Sequence, residues 1–419
     1  MSKRASGTCA HSRPRAGAEA GGADAALVAA LTVAVEGSFR ELRRSVRTTL
    51  ILVCTALVTV MTGARSGAGR LSLAALYRVL PVASRPHSRE NRLRRFLDNP
   101  RLEGRAVITG LSRLLLARGG RGFWPVLIDQ TRIGRVEALV AAAPFEGRAV
   151  PLAVYTFQYP WREVVPSQNR LEDIFLGDLA DRVPRGIVPV FVADRGYCRA
   201  RLLRRCQQEG TWLLVRGRVG TIVEHQGRRQ KLGELTAPPR TPVRYADVLY
   251  HAQQRVAVDV IVYHDPTYAE PWYLLVPCWT RRAWRPAQVV ELYRRRMQIE
   301  HSFRDFKTHL GVRGLQLRAR VPERLGRLLL AFCLVYAVLL LLGVSPAGGR
   351  ARRDLEILRR HPRHGTCRTL SVLSVAMLML THPRHAHRAL TALCRLLERA
   401  RSYRLPAFSF PRALSPPRN

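Results

Sequence analysis

The feature that most constrains the fold is a change in texture at Phe123, where apolar and β-forming segments begin. Three successive segments are bounded by glycine or proline and predict strands: WPVLIDQTRI, VEALVAAAPF and RAVPLAVYTF. The chain then alternates between a helix at 169–183, a buried-type strand at 186–197, a helix at 198–210 and a strand at 211–216. This strand–helix–strand alternation predicts an α/β sheet with parallel elements, in a domain spanning about 120–345.

Strand follows strand between about 217 and 276, and this pattern predicts an all-β insertion inside the α/β domain. A long helix is predicted next, from about Pro286 to Leu310. Proline occupies its first turn, where the missing N–H costs nothing, and Gly311 ends it.

Helical patterns flank the α/β domain on both sides. Residues 1–24 lack periodicity and predict a mobile basic arm, whereas 25–115 predict a helical N-terminal domain. Within that domain, 71–100 predict two short helices, and the second carries Arg89, Arg92, Arg94 and Arg95. A basic helix face of this kind is compatible with a DNA-binding unit. Residues 346–419 predict a basic helical C-terminal region.

The charge balance identifies the class of partner. Lysine and arginine total 69 against 30 acidic residues, which gives a net charge of +39 at pH 7. An excess of this size favours a polyanion, and nucleic acid is the best match. An anionic membrane surface is the rival partner.

One apolar stretch bears on that rival. Residues 328–344 only reach the lower limit of about 17–25 residues for a membrane span. We therefore favour a buried helix of a large soluble core, and a membrane-associated protein is the alternative. The eight cysteines contain no C-x-x-C pair, which favours a reduced, intracellular compartment.

Four polar residues of the predicted long helix share one face. Tyr293, Arg296, Glu300 and Lys307 project within a narrow stripe at about 100° per residue. Such a stripe is poor core material because burial would leave charges to be satisfied. The simple interpretation is a solvated salt-bridge face, with Glu300 pairing to Arg296 or Lys307.

Two aspartates favour a functional interpretation. Asp129 ends the apolar run VLID, and Asp194 ends VFVAD. Functional groups gather at the carboxyl ends of parallel strands, so both can converge with Glu300. Carboxylate oxygens suit Mg²⁺, and two such ions can support phosphoryl transfer. The residues alone therefore predict metal-dependent phosphoryl transfer on nucleic acid.

Three motifs carry a family resemblance: DQT at 129–131, DRGY at 194–197 and Y-x2-R-x3-E-x6-K at 293–307. Over about 123–315 the chain resembles the DDE transposases of bacterial insertion sequences, in the group with the Tyr-Arg-Glu-Lys signature (insertion-sequence family four). The resemblance implies an RNase H-like catalytic domain with a β-rich insertion before the glutamate. In one departure, Val276-Pro277 stands where many relatives have Thr-Asn.

The resemblance also implies roles for individual residues. Asp129, Asp194 and Glu300 would be the catalytic, metal-binding triad for two Mg²⁺ ions, with Mn²⁺ as a substitute. Tyr293, Arg296 and Lys307 would contact DNA phosphates near the cleaved bond.

Five other residues are candidate DNA contacts. The resemblance implies that Trp272 stacks on a flipped base, and the alternative is an ordinary core aromatic in a strand. Arg195 is a phosphate contact or the partner in a salt bridge. In the N-terminal domain, Arg89, Arg92 and Arg95 are the candidate DNA contacts.

The implied function is cut-and-paste DNA transposition. The partners would be double-stranded DNA, as terminal inverted repeats and target, and at least one further protomer in the synaptic complex. We expect no membrane partner and a cytoplasmic, nucleoid-associated location in a bacterium. The alternative is a catalytically inactive relic or regulator that binds DNA.

Overall fold

The computed structural model describes residues 16–62, 71–102, 104–116, 122–161, 163–184, 186–312, 322–362 and 366–399. Ten strands form one mixed sheet: β1 (Gly122–Ile133), β2 (Val136–Phe145), β3 (Arg148–Gln158), β4 (Ile187–Ala193), β5 (Trp212–Arg216), β6 (Ile222–His225), β7 (Arg228–Lys231), β8 (Val243–Tyr250), β9 (Val256–Tyr263) and β10 (Trp272–Val276). Their spatial order is β3-β2-β1-β4-β5-β10-β9-β8-β6-β7. β1, β4 and β5 run parallel, so the predicted α/β class with parallel elements is confirmed.

The predicted β-rich segment does not form a sheet of its own. β10 pairs antiparallel with β5, at Leu274↔Arg216 and Leu275↔Val215, and β9, β8 and β6 continue outward from it. Both paired leucines are buried, so a shared core joins the two parts. The strands predicted as an insertion therefore extend the central sheet.

One strand was not predicted. β7 has the sequence RRQK, whose charges give no apolar alternation. It forms because Gln226 and Gly227 both adopt positive φ, which closes a tight hairpin with β6. The result is an edge strand whose arginines are exposed.

Helices cover the sheet and pack on one another: α1 (Ala16–Ser38), α2 (Arg44–Met61), α3 (Leu73–Arg78), α4 (Pro86–Leu97), α5 (Gly104–Leu116), α6 (Gln168–Arg182), α7 (Ala200–Gln208), α8 (Pro286–Arg294), α9 (Met297–Arg304), α10 (Pro322–Val344), α11 (Pro346–Leu355), α12 (Val372–Thr381) and α13 (Pro383–Arg399). Residues 16–24 of the predicted arm are part of α1, residues 1–15 lie outside the described chain, and the boundary of the arm stays a prediction.

The N-terminal and C-terminal helices belong to one layer. α1 packs against α13, and α2 packs against α10, which in turn rests on β3. The Cys54 thiol of α2 donates a hydrogen bond to the carbonyl of Ala331 in α10 at 3.7 Å. The predicted N-terminal and C-terminal regions thus share a core with the α/β domain.

Among the described residues, two helices are long and apolar enough to cross a membrane, judged by length and composition alone: α2 and α10. In the fold, 67% of the apolar stretch of α2 and 89% of the apolar stretch of α10 are buried. Burial at this level is typical of core helices, as expected for 328–344. The absence of a membrane partner stays a prediction.

The predicted long helix is divided. α8 ends at Arg294, a turn at 295–296 follows, and α9 continues into a π-helical segment, Asp305–His309. The N–H of Arg296 bonds to the carbonyl of Tyr293, and that of Leu310 bonds to Asp305, five residues back. A hydrogen bond over three residues before α9 and one over five residues at the end of the π-helical segment interrupt the α-helical spacing of four.

A buried polar cluster anchors this region. The Asp305 carboxylate accepts hydrogen bonds from the Arg148 guanidinium at 2.6 Å and the Tyr336 hydroxyl at 2.8 Å. The Ser302 hydroxyl accepts from the Ala149 N–H at 2.7 Å and donates to the Ala149 carbonyl at 2.9 Å. These contacts tie α9 and the π-helical segment to β3 and α10.

Removing the centre of this cluster should destabilise the protein. Asp305→Ala should lower the free energy of unfolding by about 3 kcal/mol, because the half-buried Arg148 charge and the buried Tyr336 hydroxyl lose their partner. Urea denaturation of both proteins measures the difference. The control is Asp98→Ala, which breaks the exposed pair with Arg324 and should cost less than about 1 kcal/mol. Equal, small losses in both variants would contradict the anchoring role.

Candidate active site

The parallel pairing of β1 and β4 places two aspartates side by side. The last registered pair is Ile128↔Ala193, and Asp129 and Asp194 are the next residues on the two strands. The Asp129 carboxylate accepts a hydrogen bond from the Gln130 N–H at 2.8 Å. The Asp194 carboxylate accepts one from the Gly196 N–H at 2.8 Å and so caps the short 3₁₀ turn that follows β4.

A guanidinium links the third carboxylate to the first. Arg296 donates from Nη1 to Asp129 Oδ2 at 3.1 Å and from Nη2 to Glu300 Oε1 at 2.7 Å. The Arg296 side chain is only 12% exposed, whereas that of Glu300 is 44% exposed, so the link runs from the interior to the surface. The structure therefore joins Asp129 on the sheet to Glu300 on α9, which sequence spacing alone could not establish.

The electrostatics of Asp129 reflect its neighbours. Burial raises its pKa from the ordinary 3.8 to about 6, the Arg296 charge and the Gln130 N–H lower it, and the charges of Asp194 and Glu300 raise it again. The charges of the other two carboxylates therefore reach Asp129. An ionised Asp129 carboxylate in this setting needs a nearby cation, and Arg296 is one.

A different cluster brings metal-ligand atoms closest together. Among the described residues, ligand atoms of Asp247, Asp259 and Cys278 all lie within 4.8 Å of one another. Arg281 contacts both aspartates, and Arg244 donates to buried Asp259 at 2.7 Å. Two guanidinium groups already balance these carboxylates, so the cluster is a structural ion-pair network.

The predicted triad is more open than that cluster but has the better donor set. Asp129, Asp194 and Glu300 offer only carboxylate oxygens, the hard ligands that Mg²⁺ prefers. One guanidinium is shared between two of the three carboxylates, so charge remains for a further cation. The residues therefore fit a divalent metal ion.

The other two residues of the Tyr-Arg-Glu-Lys signature, Tyr293 and Lys307, differ in their contacts. Tyr293 is buried, and the Arg296 guanidinium lies 5.9 Å from its ring centroid. Burial chiefly raises the pKa of Tyr293. Lys307 is half-buried in the π-helical segment and makes no ion pair or hydrogen bond with the described residues. Lys307 therefore lies in a π-helical segment, where the α-helical spacing that defines the predicted stripe does not hold.

Arg195 has a carboxylate partner. Its guanidinium lies 3.0 Å from Glu270, which also pairs with Arg216 at 3.0 Å. The salt-bridge alternative raised by the sequence is therefore present. A phosphate contact by Arg195 stays a prediction.

Trp272 lies in an aromatic cluster at the start of β10 and is only half-buried. The Tyr268 ring stacks on it, with centroids 4.9 Å apart and planes 10° apart. Tyr293 meets its edge at 5.0 Å. Sequence reasoning missed Tyr268, although its spacing of four residues from Trp272 was a signal.

The arginines of α4 divide into two groups. Arg89 donates to the backbone carbonyls of Ser84 and Arg78, both at 2.9 Å, and so holds the turn between α3 and α4. Arg92 and Arg95 are exposed, make no ion pair or hydrogen bond with described residues, and line a cleft of about 480 Å³ against α2. Only these two are free to meet a ligand.

Tyr197, the tyrosine of the DRGY motif, also lies near the carboxylates, and the sequence predicted no role for it. Tyr197 is buried, and its hydroxyl makes no hydrogen bond within the described chain. Burial, with the charges of Glu172, Asp129 and Asp194, raises its pKa well above the usual value. The sequence signal for Tyr197 was its position as the last residue of the DRGY motif, three residues after Asp194.

Comparison with known families gives one finding. Residues 163–336 match the family model described as "Transposase DDE domain". The matched range contains Asp194 and Glu300, and Asp129 precedes it. A search of curated proteins gives no match. The family match supports a transposase of the DDE class, and with it an enzyme of DNA transposition.

The raised pKa of Asp129 predicts a pH-dependent stability. Between about pH 4 and pH 6 the folded state binds more protons than the unfolded state, so the free energy of unfolding falls as pH rises. Asp129→Asn removes this effect, and its stability relative to the native protein should increase by up to about 3 kcal/mol across the window. Urea denaturation in chelator at several pH values measures this difference.

The control is Asp181→Asn, which changes an exposed carboxylate on α6. It should leave the pH profile of the native protein unchanged. A difference between Asp129→Asn and the native protein that stays constant from about pH 4 to pH 7 would contradict the raised pKa.

Proposed function

We propose that the protein is a cut-and-paste transposase of the Tyr-Arg-Glu-Lys group, acting on the terminal inverted repeats of its own insertion sequence. The observation that carries this proposal is the link between Asp129, Arg296 and Glu300 beside Asp194, in a chain that matches a DDE domain. In this proposal the central sheet with its flanking helices is an RNase H-like catalytic domain.

The triad would hold the metal. Asp129, Asp194 and Glu300 would bind two Mg²⁺ ions, for which Mn²⁺ would substitute, and the bound ions would supply activation of the nucleophile and stabilisation of the leaving oxygen. Arg296 shares its single positive charge between two of these carboxylates and would contact a phosphate beside them. Tyr293 and Lys307 would position the strand beside it, and Arg195 would contact the backbone from the turn after Asp194.

The reaction sequence would begin with hydrolysis. Water attacks the phosphodiester at the end of the element and frees a 3′-hydroxyl. That hydroxyl then attacks the opposite strand to form a hairpinned end, and after its opening attacks target DNA. Trp272 would stabilise the distorted end by stacking on an unpaired base, in an aromatic cluster that also contains Tyr268.

Recognition of the repeat would involve the N-terminal helices. Arg92 and Arg95 are free, whereas Arg89 holds a turn and contributes mainly by shaping α4. Pairing of two ends requires a dimer or larger assembly in the synaptic complex. Such a protein would work in the bacterial cytoplasm, associated with the nucleoid and without a membrane partner.

The triad is tested by substitution. Asp129→Ala, Asp194→Ala or Glu300→Ala should each reduce Mg²⁺-dependent cleavage of end-labelled repeat DNA at least about 100-fold, because each removes a metal ligand. Binding of the same DNA, measured in a gel-shift assay, should stay within about threefold, and Asp181→Ala should leave both unchanged. Normal cleavage by any triad variant would remove that residue from the site, and a native protein that binds but never cuts would support the inactive relic.

The role of α4 is tested by its two classes of arginine. Arg92→Ala and Arg95→Ala should each weaken binding to the inverted repeat and reduce the slope of log affinity against log salt by about 0.9, because each lost phosphate contact releases one counterion fewer. Fluorescence anisotropy at several salt concentrations measures the slope. Arg94→Ala is the matched control, since Arg94 already pairs with Glu90 at 2.7 Å. Equal effects of all three substitutions would argue against a specific face of α4.

A further inference from the structure

A second cleft lies beside the candidate active site. Its volume is about 570 Å³, and it is formed where the turn after β4, the loop after β5 and the end of β8 meet. Its floor contains the buried Tyr250, whose hydroxyl contacts the Cys198 thiol at 3.1 Å and the Thr221 hydroxyl at 3.2 Å. The floor is therefore fixed by internal hydrogen bonds.

The lining of this cleft carries positive charge without balancing acid. Arg199, Arg201, Arg218 and His251 line it, and no aspartate or glutamate does so among the described residues. Arg199 is neutralised by Glu172. Arg201 is exposed and makes no ion pair or hydrogen bond with the described chain. The positive charge of Arg201 therefore has no acidic partner among the described residues.

Arg218 and His251 add donors. Arg218 uses only Nε internally, on the Arg195 carbonyl at 3.1 Å, so both of its Nη groups remain for a ligand. His251 Nδ1 accepts from the N–H groups of Gln253 and Gln254, both at 3.3 Å, so the ring proton lies on Nε2. Guanidinium forks and an imidazole N–H without carboxylates are chemistry suited to a phosphodiester.

The position of the cleft relates it to the triad. β4 and β5 are adjacent parallel strands, so the segments that follow them open at the same edge of the sheet as Asp194. The bond from Arg218 to Arg195 joins the cleft directly to the residue after Asp194. The turn after β4 therefore carries Asp194 at its start and part of the cleft lining, Cys198 to Arg201, at its end.

We propose that this cleft binds a backbone phosphate of the DNA that is cut, close to the cleaved bond, through Arg201 and Arg218. The inference rests on the proposed function, since it assumes that the triad acts on DNA. It adds a phosphate site that lies outside the signature residues and outside α4.

The test is a phosphate scan. Neutral methylphosphonates are placed one at a time along a repeat-end duplex, and affinity is measured by anisotropy without metal. With native protein, one position within a few nucleotides of the cleaved bond should weaken binding about tenfold. The variant Arg201→Ala/Arg218→Ala should bind the unmodified duplex about tenfold more weakly, with a smaller salt slope, and should no longer respond at that position.

The matched control is Arg282→Ala/Arg285→Ala, which removes the same charge. Both arginines are exposed and follow β10, whose pairing with β5 directs them to the opposite edge of the sheet. This control should retain the methylphosphonate response. Thermal melting of both double variants should match the native protein, because all four side chains are exposed.

The outcomes separate the two proposals. Loss of the response only in the cleft variant supports the site. An unchanged response in that variant, equal losses in the control, or interference confined to a separate target duplex overturns it. Because the scan needs no catalysis, failure of the native protein to cleave would count against the proposed function alone.

Discussion

The parallel pairing of β1 with β4 is the constraint on which the site depends. It fixes Asp129 and Asp194 as neighbours at one edge of the sheet, where the backbone leaves each carboxylate an N–H donor. Two neighbouring carboxylates that are both partly buried raise the free energy of the ionised state. Arg296 offsets that cost and at the same time draws Glu300 toward the sheet. The same contacts therefore stabilise the charges and assemble the site.

The placement of α9 depends on burial elsewhere. Ser302 and Asp305 hold it to β3, and Tyr336 extends the contact into α10, the most apolar helix of the chain. Because α10 also packs against α2, the helical layer built from both ends of the chain supports Glu300. The π-helical segment accommodates Asp305 within this cluster. A substitution far from the triad can thus disturb its geometry.

The sequence predicted local features well and long-range ones poorly. Runs of β-forming residues bounded by glycine or proline predicted β1 to β5, because buried strands require such residues. The spacing of Arg296 and Glu300 predicted their contact, since an i to i+4 pair survives the break at 295–296. The sequence did not predict that the central sheet continues through β10, because periodicity does not show which distant segments pair with each other. β7 formed through turn chemistry alone.

The distribution of arginine partners shows why net charge does not identify a nucleic-acid surface. Arg89 and Arg94 lie on the same helix as Arg92 and Arg95, yet backbone carbonyls and Glu90 already occupy the first two. A guanidinium that has internal acceptors must lose them before it binds a phosphate, and that loss offsets the gain. Free arginines at a fixed, acid-free cleft incur no such cost. In the proposed function, the excess of positive charge would draw DNA to the whole protein, and unpaired arginines such as Arg92, Arg95 and Arg201 would determine where the DNA backbone binds.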